Sequence, residues 1–312
     1  MKTRVSIILL VITMMVFLSS LAVSGVEQED LQTFLMRKVP PRPAHSLSGS
    51  EFAKAISPLD RGRREQAIRE ELAAGNLPDF LRSLKPIHLR GRSAYGRETE
   101  LTLFAMPDYL AVGSNEDFLL LPMSLPTALE VALNYGFILP TRKIVDAIFH
   151  QSAFHLAPRP LPAGPRMVST AYYEAHNEKI LKQRQAQSCP LGALISGHKK
   201  DVVLTSRLIR RAGKIAIYGW HYASGSPIQP LSTVHGANYA DYSHGIRLIS
   251  DTVLLDGRPR SIYEILEDPA LSPLLSDEGP IGKVRALLAR LRQQPPSREI
   301  EKPASGVVRI HF

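Results

Sequence analysis

The sequence predicts an α+β fold: a helical and antiparallel β-meander N-terminal part, followed by a mixed α+β C-terminal part that carries a polar site. Three observations lead there. Strand-like runs come in groups and not in strict alternation with helices, which separates α+β from α/β. Capping residues and closing glycines bracket helical runs between those groups. Four of the ten histidines fall between Gly197 and Gly245, interleaved with Gly, Asp and Tyr. A core buries few such groups, and plain surface is richer in Lys and Glu.

The elements follow in order. Lys2 and Arg4, the apolar run 5–18, the polar break Ser19-Ser20 and the small residues Ala22-Val23-Ser24 have the layout of a secretory signal cut after Ser24. The alternative is an uncut anchor over residues 5–23, close to the roughly 20 residues that span a bilayer. A secreted or periplasmic protein is expected, because no later segment is long and apolar enough to span. Residues 25–48, with Pro40-Pro41-Arg42-Pro43, read as a linker. An N-terminal lobe is expected over 49–156. Ser50 is placed to cap a helix at 51–56, and a second helix over 61–74 closes at Gly75, with Ala67, Ile68, Leu72 and Ala73 on its inner face. Extended runs at 87–89, 101–105, 109–112 and 118–122 predict the meander. Helices at 126–135, closed by Gly136, and at 141–151 complete this lobe.

The proline-rich stretch 157–165 is the expected boundary. A C-terminal lobe over 166–294 then has a helix at 171–187 and strands at 201–204, 214–218, 246–250 and 252–255. The last strand meets a turn at Asp256-Gly257, and helices at 261–267 and 281–291 precede a tail, 295–312.

Of the 312 residues 44% are hydrophobic and 21% charged, so a sizeable core is available. Cys189 is the single cysteine, which excludes an internal disulfide and a thiolate-rich zinc site. The formal charge of +9 becomes about +7 without Lys2 and Arg4. Basic runs at 61–64, 90–92, 199–200 and 207–214 suit solvated surface or an extracellular or envelope polymer, an anionic one included. Nucleic acid is disfavoured by the export signal and by the lack of helix-turn-helix or finger spacing. No phosphate loop or dinucleotide fingerprint occurs.

The candidate chemistry sits in three short segments. His198 and Asp201 flank Lys199-Lys200 ahead of a β-branched strand, at a position where a sheet can aim them. Trp220-His221 follows Gly219 and suits a cleft wall. The run from His235 to His244 holds two imidazoles, a carboxylate, two phenols, an amide and a hydroxyl between Gly236 and Gly245. His235, Asp241 and His244 could supply two nitrogens and an oxygen to zinc, leaving a position for water. On one strand Tyr239 and Asp241 share a face, whereas Asp241 and His244 do so only if the chain bends between them. Ser232-Thr-Val-His235 with Asp241, together with a Trp-His pair, resembles the zinc D,D-carboxypeptidases of the cell wall over a short part of the chain. In that family the His and Asp lie one residue further apart, and the Trp-His follows them where here it precedes. The resemblance implies metal-assisted cleavage of a cell-wall peptide bond.

These residues lead to the expectation of an exported hydrolase of an extracellular or envelope polymer, with peptide or amide bonds favoured. His235 and His244 bind metal or carry a proton, and Asp241 orients or ligates. His198 with Asp201 forms an opposing wall, and Tyr239 donates to the oxyanion. Lys199, Lys200 and Arg247 meet an anionic group, with Trp220, His221 and Asn238 as further substrate contacts. One alternative is a glycan or cell-wall binding protein without catalysis. Another is a papain-like hydrolase in which Cys189, placed with Pro190 at the start of a short helix ending at Gly197, is the nucleophile. Ser243 lacks a nucleophile elbow, and Asp201 with Asp241 is the one carboxylate pair on offer to a glycosidase.

Overall fold

The computed structural model describes residues 29–92 and 96–293, and the fold is α+β. The signal or anchor expected before residue 25 and the tail 295–312 lie outside the described residues. Among the described residues, no helix is long and apolar enough to cross a membrane. A short helix at 29–36 belongs to a first unit that ends at Val39, and a second unit begins at Pro40.

The second unit opens with helix α1 (Gly49–Ile56). Its cap is Ser48 and not the expected Ser50. Ser48 Oγ accepts from the Glu51 amide and the Glu51 carboxylate accepts from the Ser48 amide, closing a capping box. The Ser50 side chain donates instead to Asp117. Helix α2 (Arg61–Ala73) starts on an Asp60 cap and closes at Gly75, whose φ of +86° needs glycine. Its inner face holds Ile68 and Leu72 as expected, but Arg64 and Glu65 take the places given to Ala67 and Ala73. Glu65 is buried because it caps the next helix, accepting from the Ser124 amide at 3.1 Å and the Ser124 hydroxyl at 2.8 Å.

Strands β1 (Lys85–Arg92) and β2 (Glu98–Ala105) pair antiparallel, and β3 (Ala111–Gly113) pairs with β4 (Phe118–Leu120). The four do not form one meander. Strand β2 is buried along Leu101, Leu103, Phe104 and Ala105 and needs neighbours on both sides. Helix α3 (Leu125–Tyr135), strand β5 (Phe137–Ile138) and helix α4 (Arg142–Gln151) follow. After β6 (Phe154–His155) the stretch 157–165 is a largely exposed connection, and helix α5 (Thr170–Ala186) comes next.

The later strands are β7 (Ile195–Ser196), β8 (Lys200–Val202), β9 (Ile217–His221), β10 (Pro227–Ser232), β11 (His244–Gly245), β12 (Ile249–Ser250), β13 (Thr252–Leu255) and β14 (Arg258–Ser261). Helices α6 (Ile262–Glu267) and α7 (Val284–Arg292) end the described chain. Where a strand was expected over 246–250, only its last two residues pair. Where a helix was expected between Pro190 and Gly197, there are turns and β7.

Two sheets organise the unit. The larger has the order β14-β13-β2-β12-β5, with β1 also on β2, so the expected parts 49–156 and 166–294 share it. The smaller has the order β10-β9-β8-β11. In it β8 is antiparallel to β9 and parallel to β11, and this strand fixes the polar site.

Candidate functional site

The small sheet has two polar faces because register and pleat sort its residues. His244 pairs with Lys200 and Gly245 with Asp201. Neighbours along a strand point to opposite sides and paired residues to the same side, so Lys200 and His244 share a front face and Asp201 a rear one.

On the front, the loop 235–243 meets the sheet. Its backbone is tied down at Ala237, whose amide donates to Gly213, at Ala240, whose carbonyl accepts from Tyr173, and at Tyr242, whose amide donates to Met167. The bend that the sequence required between Asp241 and His244 is present. Asp241 Oδ1 accepts from the Ser243 amide at 2.8 Å and the Ser243 hydroxyl at 2.5 Å, a side-chain turn typical of Asp. It turns the chain so that Asp241 Oδ2 lies 3.8 Å from His244 Nε2 while accepting from the Tyr239 hydroxyl at 3.1 Å. The His235 ring stacks on Tyr239 with centroids 4.3 Å apart, and lies 6.4 Å from His244. Lys200 completes the group, its Nζ 5.1 Å from the centre of the Trp220 ring. His235, Tyr239 and Lys200 are half-buried, and Asp241 and His244 are enclosed behind them.

Charge in this group follows from burial. Burial lowers the His244 imidazole to about 4, against the partial opposition of Asp241, so the ring is neutral at pH 7. Among the described residues neither of its nitrogens has a hydrogen-bond partner. Burial alone would raise the Asp241 carboxyl, but His244, Lys200 and the Ser243 bonds hold it at about 2. Lys200 is lowered by burial and raised by Asp241.

The expected zinc set does not fit. Among the described residues no three His, Cys, Asp or Glu side chains are arranged to hold a metal. His235 and His244 stand with ring centroids 6.4 Å apart, and Asp241 is turned to Ser243 and Tyr239.

The rear face gathers other residues into different work. His198 and Asp201 do not form a wall opposite His244. Asp201 accepts from the Tyr109 hydroxyl at 2.9 Å, and burial raises its carboxyl to about 6. The Tyr109 ring lies where Gly245 has no side chain, since a Cβ there would be 2.6 Å from Tyr109 Cδ1. His198 Nε2 donates to Asp108 Oδ1 at 3.0 Å, while Arg184 reaches Asp108 Oδ2 at 2.7 Å. Burial pushes the Asp108 carboxyl up, but His198 and Arg184 outweigh it and keep the group ionised. His198, lowered by burial, is therefore a neutral donor.

The basic residues divide in the same way. Arg247 is 1% exposed, lies over the Tyr109 ring and donates to the carbonyls of Met106 and Ile195. Lys199 is equally enclosed and donates to the Tyr242 carbonyl at 2.6 Å. Both are enclosed, so of the three expected cations only Lys200 lies half-buried on the front face.

His221 also turns inward. Its Nε2 lies 3.1 Å from Asp146 Oδ1, which accepts from the Tyr218 hydroxyl at 2.8 Å, and its ring stacks on Phe149. Gly219 and Trp220 make this possible with φ of +102° and +56°, a left-handed kink in β9. For Trp such a φ is strained and needs the surrounding structure to hold it. Asn238 is half-buried on the front loop. Cys189 sits in a turn after α5, and burial raises its thiol, the reverse of what a nucleophile needs.

Sequence reasoning missed Asp108, Tyr109, Asp146, His176 and Arg184. Asp108-Tyr109, polar residues next to Pro107 between two strands, carried a weak signal. The other three are on helices, Arg184 in the last turn of α5, where a polar residue reads as surface. His176 on α5 is fully buried against the Tyr242 ring, and burial drives its pKa far down. No family model matches the chain, and neither does any curated protein or solved structure.

Proposed function

We propose that the chain is a hydrolase of an extracellular or cell-envelope polymer, acting on peptide or amide bonds by acid–base chemistry at the front face of the small sheet. The observation that carries this reading is His244: a fully buried imidazole, neutral at pH 7, without a hydrogen bond among the described residues and 3.8 Å from an ionised carboxylate. An unsatisfied buried polar group costs about 1–3 kcal/mol; His176 bears that cost against the Tyr242 ring, and His244 bears it beside a carboxylate. In this reading His235 takes the proton of the attacking water and returns it to the leaving amine as the C–N bond breaks, while the ionised Asp241 beside His244 offsets the charge of the imidazolium. The Lys200 ammonium faces the oxyanion, while the Tyr239 hydroxyl, donating to Asp241, fixes the carboxylate.

The binding-protein alternative is less well served, because Trp220 is 5% exposed and covered by Lys200, so it offers no open stacking platform. A cysteine hydrolase is disfavoured by the raised Cys189 thiol.

The test is turnover of labelled cell-wall fragments and peptides by the full chain and by His244→Gln and Asp241→Asn, with circular dichroism to verify folding. Loss of about 10²–10⁴ in rate, without effect of a chelator, is expected. Folded variants with undiminished turnover would sink the assignment. Tight binding by the wild type without any turnover would move the protein to the non-catalytic class.

A further inference from the structure

Beside the mouth of the front face lies a surface whose chemistry the proposed reaction does not use. Residues 207–214 form a short helical turn and loop containing Arg207, Arg210, Arg211 and Lys214 and no acidic residue. The nearby Glu278 is taken by Arg207 at 3.1 Å. The loop is held out from the body by two anchors: Leu208 is fully buried, and Arg290 of α7 donates to the carbonyls of Leu208 and Ile209. What it presents is not only charge. Ile209 is 41% exposed, and Val234, at 71%, is more exposed than any other large apolar side chain among the described residues. Arg207 donates to the Leu231 carbonyl and Lys214 to the Val234 carbonyl, so the loop's cations lie against the segment that carries Val234. The same loop holds the site, since Gly213 accepts from Ala237 and the Ile215 amide donates to the His235 carbonyl.

We propose that this surface docks on an anionic lipid bilayer and seats the mouth of the site at the membrane plane. Single exposed aliphatic residues are ordinary, but two on adjoining segments, Ile209 on the basic loop and Val234 on the segment it bonds, match an interface with acyl chains below and anionic headgroups above. A dissolved polyanion needs the cations alone and gives Ile209 and Val234 nothing to enter. The assignment is independent of the chemistry at His244.

The experiment is co-sedimentation of the full chain with vesicles of phosphatidylcholine alone or mixed with phosphatidylglycerol. The apolar run 5–18 and the other basic runs are common to wild type and variants, so the change on substitution isolates the patch. Wild-type protein partitions more strongly to the anionic vesicles. Each basic residue near such a surface is worth about fivefold, so R210Q/R211Q lowers that difference by about 25-fold. V234S lowers partitioning to the anionic vesicles severalfold and leaves binding to soluble dextran sulfate unchanged. No preference for anionic vesicles, or the same preference in R210Q/R211Q, would overturn the proposal. So would V234S that binds vesicles like the wild type, an outcome that assigns the patch to a soluble polyanion.

Discussion

Lys199→Met should make the protein more stable at neutral pH. Lys199 is 1% exposed, and burial brings its ammonium down from 10.5 to about 7, against partial support from Asp241 and Asp108. The folded pKa lies below the unfolded one, so between those values the unfolded chain holds a proton that the folded chain has released. Stability is therefore fully present above the unfolded value and is lost as pH falls toward 7. At about 1.4 kcal/mol per unit the full window is worth about 5 kcal/mol. About 2 kcal/mol of it falls between pH 7 and 9. Methionine keeps the length and removes the charge, but leaves the Tyr242 carbonyl without the donor now 2.6 Å away, a loss of about 1 kcal/mol. The variant should be more stable than the wild type by about 3 kcal/mol at pH 7 and by about 1 kcal/mol at pH 9. Urea denaturation at the two pH values, with m compared between proteins, measures both figures. Parallel pH slopes in the two proteins would refute the burial argument, as would a Met variant that is less stable at pH 7.

Other perturbations separate the two faces of the small sheet. His244 falls from 6.5 to about 4 on burial, so its contribution is present above 6.5 and lost as pH falls to about 4, roughly 3 kcal/mol in all. Asp201, raised from 3.8 to about 6, runs the opposite way over that range. The His244 part is therefore read from the difference between wild type and His244→Leu in acid titrations of stability; no difference would refute it. Asp108→Ala strips Arg184 and His198 of their shared carboxylate and should cost about 3–5 kcal/mol by chemical denaturation. The pair Asp108→Leu/Arg184→Met should recover much of that, and a double variant no better than the single one would contradict the account. Gly245→Ala puts a methyl 2.6 Å from the Tyr109 ring and 2.8 Å from Lys199 Cβ, and should cost about 1–3 kcal/mol in the same assay.

The helices were legible because their signals are local. Gly136 closes α3 in a left-handed conformation and Thr141 caps α4, as their residue types imply. The Asp256-Gly257 turn joins β13 and β14 with both residues at positive φ. Strand partners were not legible, since pairing is a choice between distant segments. Strand β2 joins β13 and β12, some 150 residues later, because its two-sided burial demands neighbours that the short hairpin cannot supply. The capping box of α1 shows the limit even of local reading: Ser48 and Ser50 are equivalent by type, and Asp117, distant in sequence, engages one of them.

The site divides along the same line. The run 235–244 converges because its members are close in sequence and Asp241 makes its own turn. In the segment 198–201 the pleat sends Lys200 forward and Asp201 back, so adjacent residues of equal chemical promise meet opposite fates. What distinguishes them is whether a partner waits on that side. Behind the sheet, Asp108 engages His198 Nε2 and Arg184, Tyr109 engages Asp201, and such groups act as structure. In front, His244 keeps two ring nitrogens without a hydrogen bond among the described residues beside an ionised Asp241. His176 is likewise buried without a hydrogen bond, but it packs on the Tyr242 ring, whereas His244 stands 3.8 Å from an ionised carboxylate, and that neighbour is what distinguishes it.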